Sequence, residues 1–216
     1  MSEKKHTGAT RNIPAFMQPT ESVVVWEGIF TEEECDNINA IGELGEFMKG
    51  RVGEYRPASD ENDEEDGMEN ASIRDTDITW IEPDQDTYWI FDRLAELIAK
   101  VNYDKFQLDL TRFDGFQYSV YNEAGHYNWH VDTQEMPRED GSFRKLSLSL
   151  MLSDPDEYEG GELALADGGT LASPKLLKLK KGTVVFFYSF IPHTVLPVKS
   201  GKRVSLVTWA LGPKLT

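Results

Sequence analysis

The stretch NWHVDTQ, residues 128–134, sets His130 and Asp132 two positions apart in an extended-looking run. Residues i and i+2 of a strand project from the same face, so an imidazole and a carboxylate there can converge. Two side chains hold a divalent metal poorly, and a grip needs a third donor. The chain has four histidines: His6, His126, His130 and His193. His6 falls in a polar start. His126 lies four residues before His130, but EAGHYN contains Gly125 and reads as a turn. His193 follows the apolar run GTVVFFYS and opens HTVLPV, 61 residues beyond Asp132. Taken alone, the His-x-Asp pair is equally the pattern of two solvated polar residues near a turn.

Two histidines and one carboxylate with open positions form the ligand set used by non-haem iron(II) sites that activate dioxygen. Ten residues past His193 comes GKRVSLVTW, whose alternation puts Arg203, Ser205, Val207 and Trp209 on one face. A guanidinium fork beside a hydroxyl suits a carboxylate held bidentately away from water. Without the metal trio, Arg203 would read as a strand-start arginine reaching to solvent.

These residues need a scaffold. The chain has 216 residues, 39% hydrophobic and 11% aromatic, enough for one full core. Residues 1–20 read as a flexible polar tail, and 21–216 as a single domain. SVVVWEGIF (22–30) reads as a strand. TEEECDNINAIGELG follows as a helix, with Thr31 and Glu34 spaced as a capping box and Cys35, Ile38 and Ile41 on one face. The acid-rich segment 56–70 has no apolar period and reads as a loop or lid. IRDTDITWI (73–81) looks extended. In 86–103 the apolar positions 88, 91, 94, 97, 98 and 101 fall at helical spacing. From residue 106 short strands alternate with turns. In KLSLSLML, Leu146, Leu148, Leu150 and Leu152 share one face while Ser147 and Ser149 share the other. Helices first and then about eight strands suggest an α+β fold: a double-stranded β-helix, a jelly-roll or cupin-like barrel, flanked by N-terminal helices.

A net charge of −16 argues against nucleic acid and anionic membrane partners and leaves a cationic partner open. The single Cys35 excludes an intrachain disulfide and a cysteine-rich zinc site. No run of about 18 apolar residues occurs, and the start lacks the apolar stretch of a signal peptide. A cytoplasmic location is the expectation.

The segments YNEAGHYNWHVD, EGGELAL and KKGTVVFFYSFIPHTVLPVKSGKRVSLVTWAL together resemble the 2-oxoglutarate- and iron(II)-dependent dioxygenases, most of all the prolyl 4-hydroxylase branch and related bacterial and phage hydroxylases. The resemblance runs over nearly the whole chain and is densest over 116–209. It implies that His130, Asp132 and His193 ligate Fe(II), and that Arg203 pairs with the 5-carboxylate of 2-oxoglutarate. It implies that Tyr121 or Tyr127, with Tyr118 as a third choice, places a phenol near that carboxylate or the substrate. Ser205 and Trp209 would lie beside the co-substrate on the Arg203 face. The implied reaction consumes dioxygen and 2-oxoglutarate, with ascorbate as an accessory reductant. It hydroxylates an unactivated C–H bond, a prolyl residue in a peptide or protein first among the choices, and releases succinate and carbon dioxide. A free amino acid or small metabolite is the alternative substrate. Two other readings stay open: a zinc hydrolase with Glu162 as base, and a non-enzymatic β-barrel binding module with an incidental metal. Oligomeric state is not legible.

Overall fold

The computed structural model describes residues 21–52, 68–133, 136–168 and 170–214. The tail 1–20 with His6, and the acidic segment 56–70 up to residue 67, lie outside them.

Strand β1 (Val23–Trp26) is shorter than the 22–30 expected, because Gly28 at φ +65° turns the chain towards Gly182. Helix α1 (Glu32–Glu43) starts at the expected capping box, with Thr31 and Glu34 exchanging side-chain and backbone bonds. Cys35 and Ile38 are fully buried beneath it. At Gly42 a Cβ would sit 2.5 Å from the Tyr118 ring, so a side chain there would force the helix off the sheet. The short β2 (Met48–Lys49) and β3 (Arg74–Asp75) precede β4 (Asp77–Ile81). Helix α2 (Tyr88–Val101) buries Ile90, Leu94, Ile98 and Val101. The stripe is rotated from the expected one at its start, where Tyr88 is 54% exposed. A π-helical turn, Asn102–Phe106, ends α2 and is closed by Gln107 at φ 52°.

The remaining strands are β5 (Arg112–Phe113), β6 (Phe116–Tyr121), β7 (His126–His130), β8 (Phe143–Met151), β9 (Tyr158–Gly160), β10 (Leu163–Leu165), β11 (Lys175–Leu177), β12 (Val184–Tyr188), β13 (His193–Val195), β14 (Val198–Gly201) and β15 (Arg203–Gly212). They form three antiparallel sheets. The largest runs β1-β12-β8-β15-β6-β4-β2, with β5 also on β15; the second runs β11-β10-β13-β7-β3; β14 and β9 pair separately.

The α+β class stands, but the expected double-stranded β-helix is corrected: no sheet closes into a barrel or curls on itself. Among the described residues β1 and β2 end the large sheet, and β11 and β3 end the second, each with one unpaired side. Alternation reports that a strand has two unlike faces; closure requires hydrogen bonds between the end strands, and residue types do not encode those.

Strand period divides the large sheet's faces. Leu146, Leu148, Leu150, Phe116, Tyr118, Val204 and Leu206 pack with α1 and α2 in one apolar cluster. Met151, Val185 and Phe187 on the opposite face pack with Leu163, Leu165 and Val195 of the second sheet. DPDEYEGG and KSGKR, expected only as turns, contribute β9 and β14. Among the described residues no helix is long and apolar enough to cross a membrane.

Candidate metal centre and co-substrate cleft

Antiparallel pairing closes the 63-position separation of the two histidines. His193 in β13 stands directly opposite His130 in β7, and residues directly opposite in such a pair share a face. Their ring centroids are 4.1 Å apart. Asp132 lies two residues past the end of β7, so strand geometry alone does not aim it. Backbone bonds from Asp132 and Thr133 to the Ser189 carbonyl, at 2.8 and 3.0 Å, fix the chain there. The Ser147 hydroxyl donates to Asp132 Oδ2 at 2.7 Å and lies 3.0 Å from the Ser189 hydroxyl. Asp132 then sits 3.6 Å from His130 Nε2 and 3.4 Å from His193 Nε2. Donor atoms of the three residues all fall within 4.8 Å of one another.

The donor chemistry fits a metal. His130 Nδ1 faces the Asn128 carbonyl at 2.7 Å, and His193 Nδ1 faces the Ile191 carbonyl at 3.0 Å. A carbonyl only accepts, so each Nδ1 carries the proton and each Nε2 lone pair is left facing Asp132. Burial, then the neighbouring His193, pulls His130 well below the usual histidine range and keeps it neutral. Burial alone would raise the Asp132 carboxyl, but His193, His130 and the Ser147 hydrogen bond outweigh it and hold it low. Two imidazoles that present Nε2 and a carboxylate are the donors an open iron(II) site requires.

The trio lines a cleft of about 1170 Å³, and Arg203, Ser205, Val207 and Trp209 line it too. The expected face of β15 is therefore the face that meets the cleft. Arg203 is only 2% exposed. It donates to Ser205 Oγ at 3.2 Å, approaches Met151 Sδ at 3.4 Å, and lies 5.1 Å over the Tyr121 ring. Its Nε has no partner, and among the described residues no carboxylate pairs with it. At φ +64°, Gly161 leaves room beside it, since a Cβ there would lie 3.1 Å from Arg203 Cδ. A buried guanidinium without an anion is costly, and this one fits an anionic group entering the cleft.

The tyrosines separate by parity. Tyr118 and Tyr121 are three apart on β6 and so face opposite ways. Tyr121 lines the cleft. Tyr118 is turned to the helix side, with its hydroxyl 3.1 Å from Asn39 Oδ1, and is not brought to the site. Tyr127 lines the cleft and stacks on His130 with centroids 3.5 Å apart. Trp209 is buried with its Nε1 unpartnered. His126 stays outside the trio, bonded to the Ala124 carbonyl at 3.0 Å. Glu162 does not line the cleft, which leaves the hydrolase reading without its base.

Sequence reasoning missed Arg74, Arg144, Ser147 and Ser189. Ser147 lay on the polar face already recognised and could have been named from it. Arg144 could not. It shares the parity of Leu146 and Leu148, which would send it to the helix side. The β8–β15 register skips a residue: Ala210 pairs with Leu146 and Leu211 with Arg144, leaving Lys145 over as a β-bulge. Such a bulge re-aims side chains, and Arg144 lies 3.7 Å over the Trp209 ring, inside the cleft.

Residues 116–211 match the family model described as the 2OG-Fe(II) oxygenase superfamily. Over 95 residues the chain is 36% identical to a PKHD-type hydroxylase of Teredinibacter turnerae, covering 43% of this chain and 41% of that one. It is 42% identical over 83 residues to a PKHD-type hydroxylase of Synechococcus, covering 38% and 35%. The chain thus spans about two fifths of the length of these curated relatives. In fold it is similar to the viral collagen prolyl hydroxylase of Paramecium bursaria Chlorella virus-1, with a TM-score of 0.63 at 20% identity over 89% of this chain and 97% of that one. It is also similar to a Pseudomonas putida prolyl-4-hydroxylase, with a TM-score of 0.63 at 21% identity over 90% and 95%. Residues 116–211, which carry the His-x-Asp pair, the distal histidine and the buried arginine, thus match the 2-oxoglutarate- and Fe(II)-dependent oxygenase superfamily and hold a His/Asp/His ligand set of its kind.

Proposed function

We propose that the protein is a 2-oxoglutarate- and Fe(II)-dependent dioxygenase that hydroxylates an unactivated C–H bond, a prolyl residue in a peptide or protein being the first substrate to try. The observation that carries this reading is Arg203, buried with no carboxylate paired to it among the described residues, in the same cleft as the His130, Asp132 and His193 trio. The prolyl assignment draws on the PKHD-type and prolyl hydroxylases the chain is similar to. A free amino acid or small metabolite is the alternative substrate. The reading treats 21–216 as one domain.

In this reading His130 and His193 offer Nε2 and Asp132 a carboxylate oxygen to Fe(II). Bound iron and 2-oxoglutarate would supply the oxidising chemistry, one oxygen atom of dioxygen going to succinate and the other to the substrate. The protein's own groups orient and select. Arg203 takes the distal carboxylate of 2-oxoglutarate with a fork strengthened by exclusion of water, and Ser205 steadies the guanidinium. Tyr121 supports it from below. Ser147 and Ser189 hold Asp132, and Tyr127 holds the His130 ring by stacking. Trp209 forms part of the wall along which substrate enters.

The test is aerobic incubation with Fe(II), ascorbate and 2-oxoglutarate, with and without a proline-rich peptide. Succinate that depends on Fe(II), and a peptide heavier by one oxygen, are the expected products. A sample that makes no succinate with any substrate offered and binds no ferrous ion would remove the oxygenase reading.

A further inference from the structure

The chain is strongly acidic, with 38 Asp and Glu against 22 Lys and Arg. Its cleft is not. Six of the chain's nine arginines line it: Arg51, Arg74, Arg112, Arg138, Arg144 and Arg203. Some of this charge is already committed. Arg112 pairs with Asp140, and Arg138 grips Asp114 with two bonds of 2.7 and 2.6 Å. Arg203 is accounted for by the co-substrate. Two others are not. Arg144 lies 3.6 Å from the already gripped Asp114 and in the field of Asp132, which is committed to the metal trio, and its Nε is buried without a hydrogen bond. Arg74 is 9% exposed, and its Nε is also unpartnered. One of its terminal nitrogens donates to the Arg51 carbonyl at 3.2 Å, and its guanidinium lies 4.6 Å over the Tyr127 ring. Among the described residues no carboxylate pairs with Arg74. Tyr127 stacks on His130, which puts this charge one ring away from the metal trio.

Burying two guanidiniums without full anionic partners destabilises the fold unless a ligand restores the balance. We propose that the substrate itself carries a carboxylate near the carbon that reacts, and that Arg74 and Arg144 read it. This rests on the oxygenase reading for the word substrate. The planar fork of arginine matches a carboxylate, and the Tyr127 and Trp209 rings, 4.6 and 3.7 Å from the two guanidinium carbons, help to hold each fork in place. A short acid is favoured over a nucleic acid. The acidic surroundings repel a long polyanion within a screening length of about 8–10 Å, while the cleft lining carries Lys49 and six arginines against the acids Glu82, Asp114, Asp132, Glu139 and Asp140, of which Asp114, Asp132 and Asp140 already have partners. The carboxylate could belong to an Asp or Glu side chain of a peptide or to the α-carboxylate of an amino acid.

The experiment measures retention on the full chain loaded with Mn(II) and 2-oxoglutarate. The probes are an amidated peptide pool containing Asp and Glu, a matched pool containing Asn and Gln, the latter pool with free C-terminal carboxylates, and a short single-stranded oligonucleotide. Expected is roughly tenfold or greater enrichment of one carboxylate-bearing pool over the amidated neutral pool, and which pool wins identifies the source. Arg74→Gln and Arg144→Gln, each confirmed as folded by its melting temperature, should each bring that ratio towards one. Equal retention of acidic and neutral pools by the unaltered protein overturns the proposal, as does preferential retention of the oligonucleotide. An enrichment that survives both substitutions overturns the assignment to these arginines. The unaltered protein decides the main question even if a variant does not fold. Retention needs no turnover, so a failed oxygenase reading would show separately, as absence of succinate in a parallel incubation.

Discussion

Ser205 and Leu206 are neighbours on β15, yet they belong to different tasks. Leu206 points to the helix side, fully buried among Leu148, Leu150 and Tyr118. Ser205 points the other way and touches Arg203 in the cleft. The same division runs along β6 and β8, so the large sheet has one face that stores stability and one that presents polar groups. The helix face tolerates volume-conserving apolar exchange, whereas the cleft face depends on specific donors and charges.

Substitutions on the two faces should therefore fail differently. The largest effect is expected from Asp132→Ala, which should abolish Mn(II) binding measured by electron paramagnetic resonance while leaving a cooperative melt; retained binding would unseat the trio. Arg203→Ala should weaken 2-oxoglutarate binding by about 2–5 kcal/mol, since it removes the fork from a buried ion pair. Titration calorimetry on the Mn(II)-loaded protein reads this directly. Leu206→Ala should cost a similar 2–5 kcal/mol, but in unfolding free energy rather than ligand affinity, and urea denaturation beside the same titration shows which quantity moves. A loss of co-substrate affinity in the folded leucine variant would blur the separation of faces. Ser147→Ala should lower metal affinity about 10–100-fold.

The smallest effect concerns Cys35 on the helix side. Burial raises its thiol from 9.0 to about 11, partly offset by Lys181. Its folded form keeps a proton that the unfolded chain releases, so its contribution to stability is lost as pH rises from about 9 to 11, by at most about 2–3 kcal/mol. Urea midpoints at pH 8 and pH 10.5, compared with Cys35→Ala, isolate this. An identical decline in both proteins would assign it elsewhere.

Parity made much of this legible before any coordinates. The leucine–serine alternation in β8 and the Arg203, Ser205, Val207, Trp209 face needed only a period of two. The capping box at Thr31 needed only local spacing. Pairing between strands did not follow in this way. The His130–His193 register, the open ends of the sheets and the β9–β14 ladder depend on contacts between distant segments. Tyr118 and Tyr121 show the cost of reading a motif by residue type, since their separation of three already placed them on opposite faces. Net charge is a whole-chain quantity: −16 does not report that the cleft gathers six arginines.

The unmatched Lys145 between β8 and β15 has a consequence for tolerance to indels. Deleting that one residue would restore strict two-residue phasing with Arg144 directly before Leu146, so alternation alone would keep the guanidinium on the cleft side. Straightening the strand with Lys145 retained, by contrast, would turn Arg144 into the greasy layer beneath α1 and α2, so the bulge, and not the residue count of β8, is what sends it to the cleft.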